Sequence, residues 1–222
     1  RLPSWMRLPW ASSPSMIMSR TRPTMASCRL WRTIRRSAPA SASGVPSDTP
    51  ADAKITLEVL DEITGLAFNP TRRPMAVKEP GVYFINLPLP LGKTLRYRYF
   101  LEGEPPLREF SPYGDQIRYR LYQVDGPSIN RDSIFSWGNR PYDGAVGRIF
   151  GTVRDNTTNA PVPNAVISIC GITTVTASTG SFILDRIPVG THNLVVITPT
   201  GAYTSFQQGV TVADQASTPV DV

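Results

Sequence analysis

The sequence predicts an all-β protein, two tandem antiparallel β-sandwiches behind a disordered, basic N-terminal tail. Three observations lead there. The 22 prolines and 16 glycines recur as punctuation between β-branched and aromatic runs, and no segment keeps a helical period. From Gly81 to Leu101 apolar residues alternate at the period of two that half-buried strands require. Composition changes abruptly after Gly44. A chain of 222 residues has room for two domains of about 100 residues each. The expected divisions are a tail over 1–44, a first sandwich over 45–138, a linker over 139–146 and a second sandwich over 147–222.

Residues 1–50 carry eight arginines, no lysine and one acid, Asp48, a balance of +7. The whole chain is +6, so residues 51–222 come to −1. The basic character belongs to the tail, and the folded part has no general electrostatic case for nucleic acid. Rich in Arg, Ser and Pro, the tail is expected to be disordered. Beginning on Arg1, it reads as part of a fragment, a processed leader or a misread frame. Met25-Ala26-Ser27-Cys28 has the look of a lipoprotein cleavage site, but Arg20 and Arg22 stand where an apolar segment would have to be. Cys28 is therefore either an acylation site or a free thiol in the tail. Cys28 and Cys170 are the two cysteines, read as unrelated thiols or as a disulfide that docks the tail. With the single His192 they supply no recognisable metal-ligand spacing.

In the first sandwich Ile55, Leu57 and Val59 alternate with Lys54, Thr56 and Glu58, which predicts a strand. The clearest pair follows. Tyr83, Ile85 and Leu87 share one face, Leu95, Tyr97, Tyr99 and Leu101 another, and Pro88, Pro90 and Gly92 between them predict a reversal joining two paired strands. Further strands are expected over Arg118–Val124 and Asp132–Trp137. Arg96, Arg98, Arg118 and Arg120 fall so that they could share one sheet face among aromatics, either as a polyanion-binding patch or as ion-paired surface. No alternating strand precedes Val45, where SAPASASG stands, so an unpaired sheet edge is expected to invite a partner strand.

Six short motifs in order, Asp48-Thr49-Pro50, Gly65 to Pro70, Tyr83 to Gly92, Tyr97-Arg98-Tyr99, Glu109-Phe110 and Asp132 to Trp137, resemble the starch-binding family of carbohydrate-binding modules, an immunoglobulin-like sandwich. In that family a sugar lies on two tryptophans beside a lysine. The resemblance implies a carbohydrate-binding site at Phe68, Arg98 and Phe110, with phenylalanine for both tryptophans and arginine for the lysine. An aromatic face suits the apolar C–H face of a pyranose. The residues themselves also allow Phe68 and Phe110 as plugs at the end of the sandwich and Arg98 as a partner of Glu102, Glu104 or Glu109 across the sheet. Trp137 is expected to close the core.

Gly151-x-Val153-x-Asp155, Pro161-Val162-Pro163-Asn164-Ala165, Thr176 to Gly180 with Phe182, Ile187-Pro188-x-Gly190 and Gly201-x-Tyr203 closely resemble the carboxypeptidase regulatory-like domain, a prealbumin-like sandwich, over 147–222. Such domains are accessory. Ser178 and Thr179 stand where that family has an acid, so no cation is expected there. Lys93 is the last lysine, which rules out a Lys–Asn isopeptide lock within this domain. His192 is expected to be a hydrogen-bonded residue at the sandwich edge and Cys170 an inert thiol.

With one histidine, no nucleophile elbow, no phosphate-binding glycine loop and no metal spacing, catalysis is not expected, nor any cofactor. Two functions remain. The first is a non-catalytic, extracellular carbohydrate-binding pair from a larger bacterial surface or secreted protein, with a polysaccharide or glycan as partner. The alternative is a structural spacer or adhesion scaffold of a cell-surface protein, whose partners are neighbouring domains. Both place the chain outside the cell. No run of about 18 apolar residues marks a transmembrane helix.

Overall fold

The computed structural model describes residues 46, 49–50, 52–60, 70–79, 81–138 and 142–222, with the backbone of 25–33. Among them are strands and no helix. The first half contains β1 (Met25–Thr33), β2 (Ile55–Val59), β3 (Thr71–Pro74), β4 (Ala76–Glu79), β5 (Val82–Pro90), β6 (Thr94–Leu101), β7 (Leu107–Phe110), β8 (Arg120–Gln123), β9 (Ile129–Asp132) and β10 (Ser136–Trp137). One sheet runs β4-β5-β1-β9; the other runs β10-β7-β6-β2-β3, with β8 also on β6. Between them Ile55, Leu57, Leu87, Leu95, Tyr99 and Ile134 anchor a core against which Trp137 packs, its Nε1–H donating to Thr49 Oγ1 at 3.0 Å.

Two expectations are corrected here. The stretch from Gly81 to Leu101 is not a hairpin: β5 and β6 belong to opposite sheets. Their inward residues, Tyr83 and Leu87 on one and Leu95, Tyr97 and Tyr99 on the other, meet across the core. Alternation says which face of a strand is buried, and an arch between two sheets satisfies it as well as a hairpin does. The reversal is held from β8, with Gly92 N–H donating to Val124 O at 2.8 Å and Val124 N–H to Lys93 O at 2.9 Å. Pro88 and Pro90 lie beyond the end of β4, where β5 is paired only with β1, so they interrupt no ladder on the open side.

The second correction concerns the tail. Residues 25–33, expected to be disordered, form β1 between β5, antiparallel, and β9, parallel. The strand missing from SAPASASG directly before Val45 is thus supplied from further upstream, and Cys28 lies in register with Leu87. The rest of 1–44 lies outside the described residues.

The second half contains β11 (Val146–Thr152), β12 (Val166–Ile169), β13 (Ile172–Val175), β14 (Ser181–Pro188), β15 (Gly190–Ile197), β16 (Phe206–Val212) and β17 (Ser217–Asp221). The sheets are β14-β11-β17 and β13-β12-β15-β16, and Ile149, Ile167, Phe182, Leu184, Ile187 and Leu194 fill the space between them. β12 and β13 are joined by Cys170-Gly171 at φ 54° and 78°, the two-residue reversal that matches strand twist. Each half closes alike, its first strand parallel to a late one: β1 with β9, β11 with β17. Neither sandwich is therefore wholly antiparallel.

Candidate functional site

Of the three residues assigned to a sugar platform, Phe68 lies outside the described residues. Arg98 on β6 and Phe110 on β7 are described, the first buried and the second half-buried. Arg98 is in register with Glu58 on β2, and its Nε and Nη2 both reach Glu58 Oε2 at 2.5 Å. Glu58 also accepts from Arg72 Nε at 3.0 Å. Glu58 is on the polar side of β2, as its alternation predicts, yet it is only 1% exposed. Arg98 thus directs its guanidinium to a carboxylate of its own sheet. Phe110 is in register with Ser136 on β10 and bridged to Gln116.

The four arginines expected on one face divide. Arg96 and Arg98 project outward from β6, whereas Arg120 is in register with the inward Tyr97 and points into the sandwich. There its Nη2 donates to Glu109 Oε2 at 2.9 Å and its Nη1 to Asp132 Oδ1 at 3.4 Å. Asp132 Oδ2 also accepts from the hydroxyls of Tyr97 and Tyr99, at 2.7 and 2.8 Å, and from Asn130 Nδ2 at 3.2 Å. Burial opposes the charge on Arg120, but Glu109 and Asp132 overcome it and hold the guanidinium well above its usual pKa. Burial, then Asp132, pushes the Tyr97 phenol well up. The network ties β6, β7, β8 and β9 together, since Arg120 reaches both Glu109 and Asp132, and Asp132 in turn accepts from Tyr97 and Tyr99. Glu109 has a second task. β8 pairs with Thr94–Tyr97 of β6 and β7 with Phe100 and Leu101, and at the fork the N–H of Tyr99 donates to Glu109 Oε1 at 3.0 Å. The carboxylate stands in for a missing ladder carbonyl.

The feature that composition and spacing did not reveal is the seam between the halves. β8 lies against β12, β15 and β16, and β9 against β15. Ser168 and Val195, in register on the face turned away from the second core, are 3% and 0% exposed, covered from the first half. Phe135 leaves the first sandwich to join the second core, edge-on to Tyr142 and to His192 at 5.4 and 6.2 Å between ring centres. Gln123 N–H donates to Gln207 Oε1 at 3.0 Å, Gln207 Nε2 returns to Gln123 O at 3.4 Å, and Tyr113 Oη donates to Asp185 O at 2.8 Å. The Cys170-Gly171 reversal seats against Ile117: a Cβ at Gly171 would lie 2.6 Å from Ile117 Cδ1. Cys170 is buried there without a disulfide, and burial pushes its thiol up to about 12. Nε2–H of His192 donates to Pro188 O at 2.7 Å, and burial holds the ring below its usual pKa.

At the flank of the second sandwich a cleft of about 740 Å³ is lined by Asp155, Asn159, Tyr203, Phe206 and Val222 among others. Asp155 there accepts from Thr157 and Thr158 N–H, both at 2.8 Å, which pulls its carboxyl down. Among the described residues no group of three or more His, Cys, Asp or Glu side chains is placed to hold a metal, and no helix is long and apolar enough to cross a membrane.

Residues 148–222 match the carboxypeptidase regulatory-like domain. The match spans nearly the whole second sandwich, as its turn residues predict, and leaves the first outside it. No curated protein matches the chain. Among solved structures, the TIE protein of Bacillus anthracis is similar at 13% identity and a TM-score of 0.32, over 89% of this chain and 33% of that one. The minor pilin GBS52 of Streptococcus agalactiae is similar at 11% identity and 0.30, over 89% of this chain and 94% of the pilin. The shaft pilin SpaA of Lactobacillus rhamnosus GG is similar at 9% and 0.29, over 89% and 97%. The chain spans a third of the TIE protein. Scores of this size do not establish a shared fold for the whole chain.

Proposed function

We propose that this chain is a non-catalytic structural module of a bacterial surface or secreted protein, two sandwiches locked into one strut that spaces or presents neighbouring domains. The seam carries the reading. A binding module on a tether needs no shared core, whereas here Phe135 belongs to the second core and Ile117 closes over Gly171. Interfaces that exchange core residues resist relative motion more than the polar contacts usual between tethered domains. The accessory character of the matched domain family agrees with this reading. A neutral-sugar platform at Phe68, Arg98 and Phe110 stands second, because the guanidinium it needs is buried against Glu58.

Gly171→Val tests the strut. The added side chain meets Ile117 at a positive φ of 78°, and the expected cost is about 2–4 kcal/mol. The wild type should melt in one cooperative transition in calorimetry, and the variant in two. A wild type that melts as two independent units would sink the proposal. Antibody against residues 146–222 should label intact cells of the source organism; labelling only after lysis would overturn the surface assignment.

A further inference from the structure

On the outer face of the β3-β2-β6-β7 sheet, register sets two rows side by side. Arg72, Glu58 and Arg98 form one; Thr56, Phe100 and Arg108 form the next. Phe100 points away from the core, yet it is only 2% exposed. Three guanidinium carbons stand over its ring, those of Arg72, Arg98 and Arg108 at 4.1, 5.4 and 5.7 Å. Glu58 neutralises part of this through Arg72 and Arg98, but Arg108 has no carboxylate partner among the described residues; its Nη1 reaches only the amide oxygen of Gln116, at 3.4 Å. Along the same face, Arg96 and Arg118 flank the ring of Tyr119 at 5.6 and 5.7 Å. The carboxylates bonded within these rows are Glu58 and Glu102, the latter accepting from Thr56 Oγ1 at 2.6 Å.

We infer that this face binds an acidic polysaccharide, through its carboxylate or sulfate groups, at Arg72 and Arg108 with Arg96 and Arg118 extending the site along the sheet. Guanidinium forks take such oxyanions two bonds at a time, and a ring beneath them fixes their planes. The side chain of Arg72 is 40% exposed and Arg118 is exposed, so the charge is open to solvent. Burial, then the neighbouring Arg98, holds Arg108 below its usual pKa; Glu58 offsets part of this and Arg72 adds to it. The aromatic rings decide between polyanions. Single-stranded nucleic acid gains much of its affinity from bases stacked on open aromatic faces. Here the ring of Phe100 is already capped by guanidiniums, leaving the face rich in charge and poor in stacking surface.

The test is retention of the full chain on immobilised polygalacturonate at low salt, with starch and a twenty-nucleotide oligothymidylate as competing surfaces. Saturable retention on polygalacturonate is expected, absent on starch and lost as salt rises. Arg72→Gln/Arg108→Gln should weaken it at least fivefold. The arginines of residues 1–36 are present in wild type and variant alike, so the difference reads this face alone. Should loss of the Glu58 partner unfold the protein, Arg108→Gln/Arg118→Gln replaces two arginines with no carboxylate partner among the described residues and is expected to keep the wild-type melting temperature. No retention of folded wild type, equal retention by a folded variant, or tighter binding to oligothymidylate would each overturn the assignment.

Discussion

The two sandwiches close by the same strand logic around chemically different interiors. The second is apolar almost throughout, and of its buried polar side chains Thr176 is satisfied locally, accepting from Ala165 N–H at 2.9 Å and donating to Val162 O at 2.7 Å. The first encloses Glu109, Arg120, Asp132 and Asn130 behind its tyrosines. Topology therefore does not dictate core chemistry. An apolar core contributes through area removed from water and tolerates small shape changes gradually. A buried ionic cluster adds little net stability over a well-packed apolar replacement, yet removing one member leaves uncompensated charge. In the first half that cluster also occupies the fork of β6, where Glu109 completes the ladder.

The largest effect is expected from Arg120→Ala, which strands Glu109 and Asp132 and should cost about 3–5 kcal/mol in denaturant unfolding. Ile167→Ala, at a 0% exposed position of the second core, should cost about 2–4 kcal/mol. If Ile167→Ala proves the more damaging of the two, the contrast between the cores fails. A smaller effect separates the halves by pH. Because burial lowers the pKa of folded His192, the unfolded chain takes up its proton first as pH falls below about 6.5. The contribution of neutral His192 is complete above that pH and declines toward the lower folded value. Melting between pH 7 and 5 should show the decline, and His192→Gln should remove that component. The smallest signal is a rate. In a Cys28→Ser background, the Cys170 thiol, pushed up to about 12 by burial, should react with a disulfide reagent at pH 8 only as fast as the seam opens. Rapid labelling of the native protein would show that the halves part freely.

Strand positions and inward faces were legible because a period of two survives any pairing: Ile55 and Leu57, Tyr83 and Leu87, Leu95 and Tyr97 all face the core as their spacing predicts. Pairing was not legible, since β5 and β6 carry the same alternation in an arch as in a hairpin. β1 was hidden by its arginines, whose composition outweighed the short alternation of Ala26, Cys28 and Leu30. Arg120 was misplaced because its inward aim follows from its register with Tyr97, a long-range fact that neighbours in sequence do not carry. The second sandwich was easier because its turns are written in residues with few alternatives: a Cβ at Gly180, φ 74°, would lie 2.5 Å from Val153 O. Of the candidate site, Arg98 was legible as an ion-pair partner, but its carboxylate is Glu58 and not Glu102, Glu104 or Glu109, because that pairing depends on a strand forty residues away.

The parallel closure has a mechanical consequence. In each half the strand nearest the N-terminus lies beside a late strand running in the same direction, Arg29–Arg32 against Ile129–Asp132 and Arg148–Thr152 against Ser217–Asp221. Tension applied through the chain on either side of such a unit drags the two strands past each other lengthwise. The hydrogen bonds between them then bear the force together, in shear, and none can be unzipped ahead of the rest. The second sandwich, whose first and last strands are the parallel pair β11 and β17, is thus loaded along its most resistant direction.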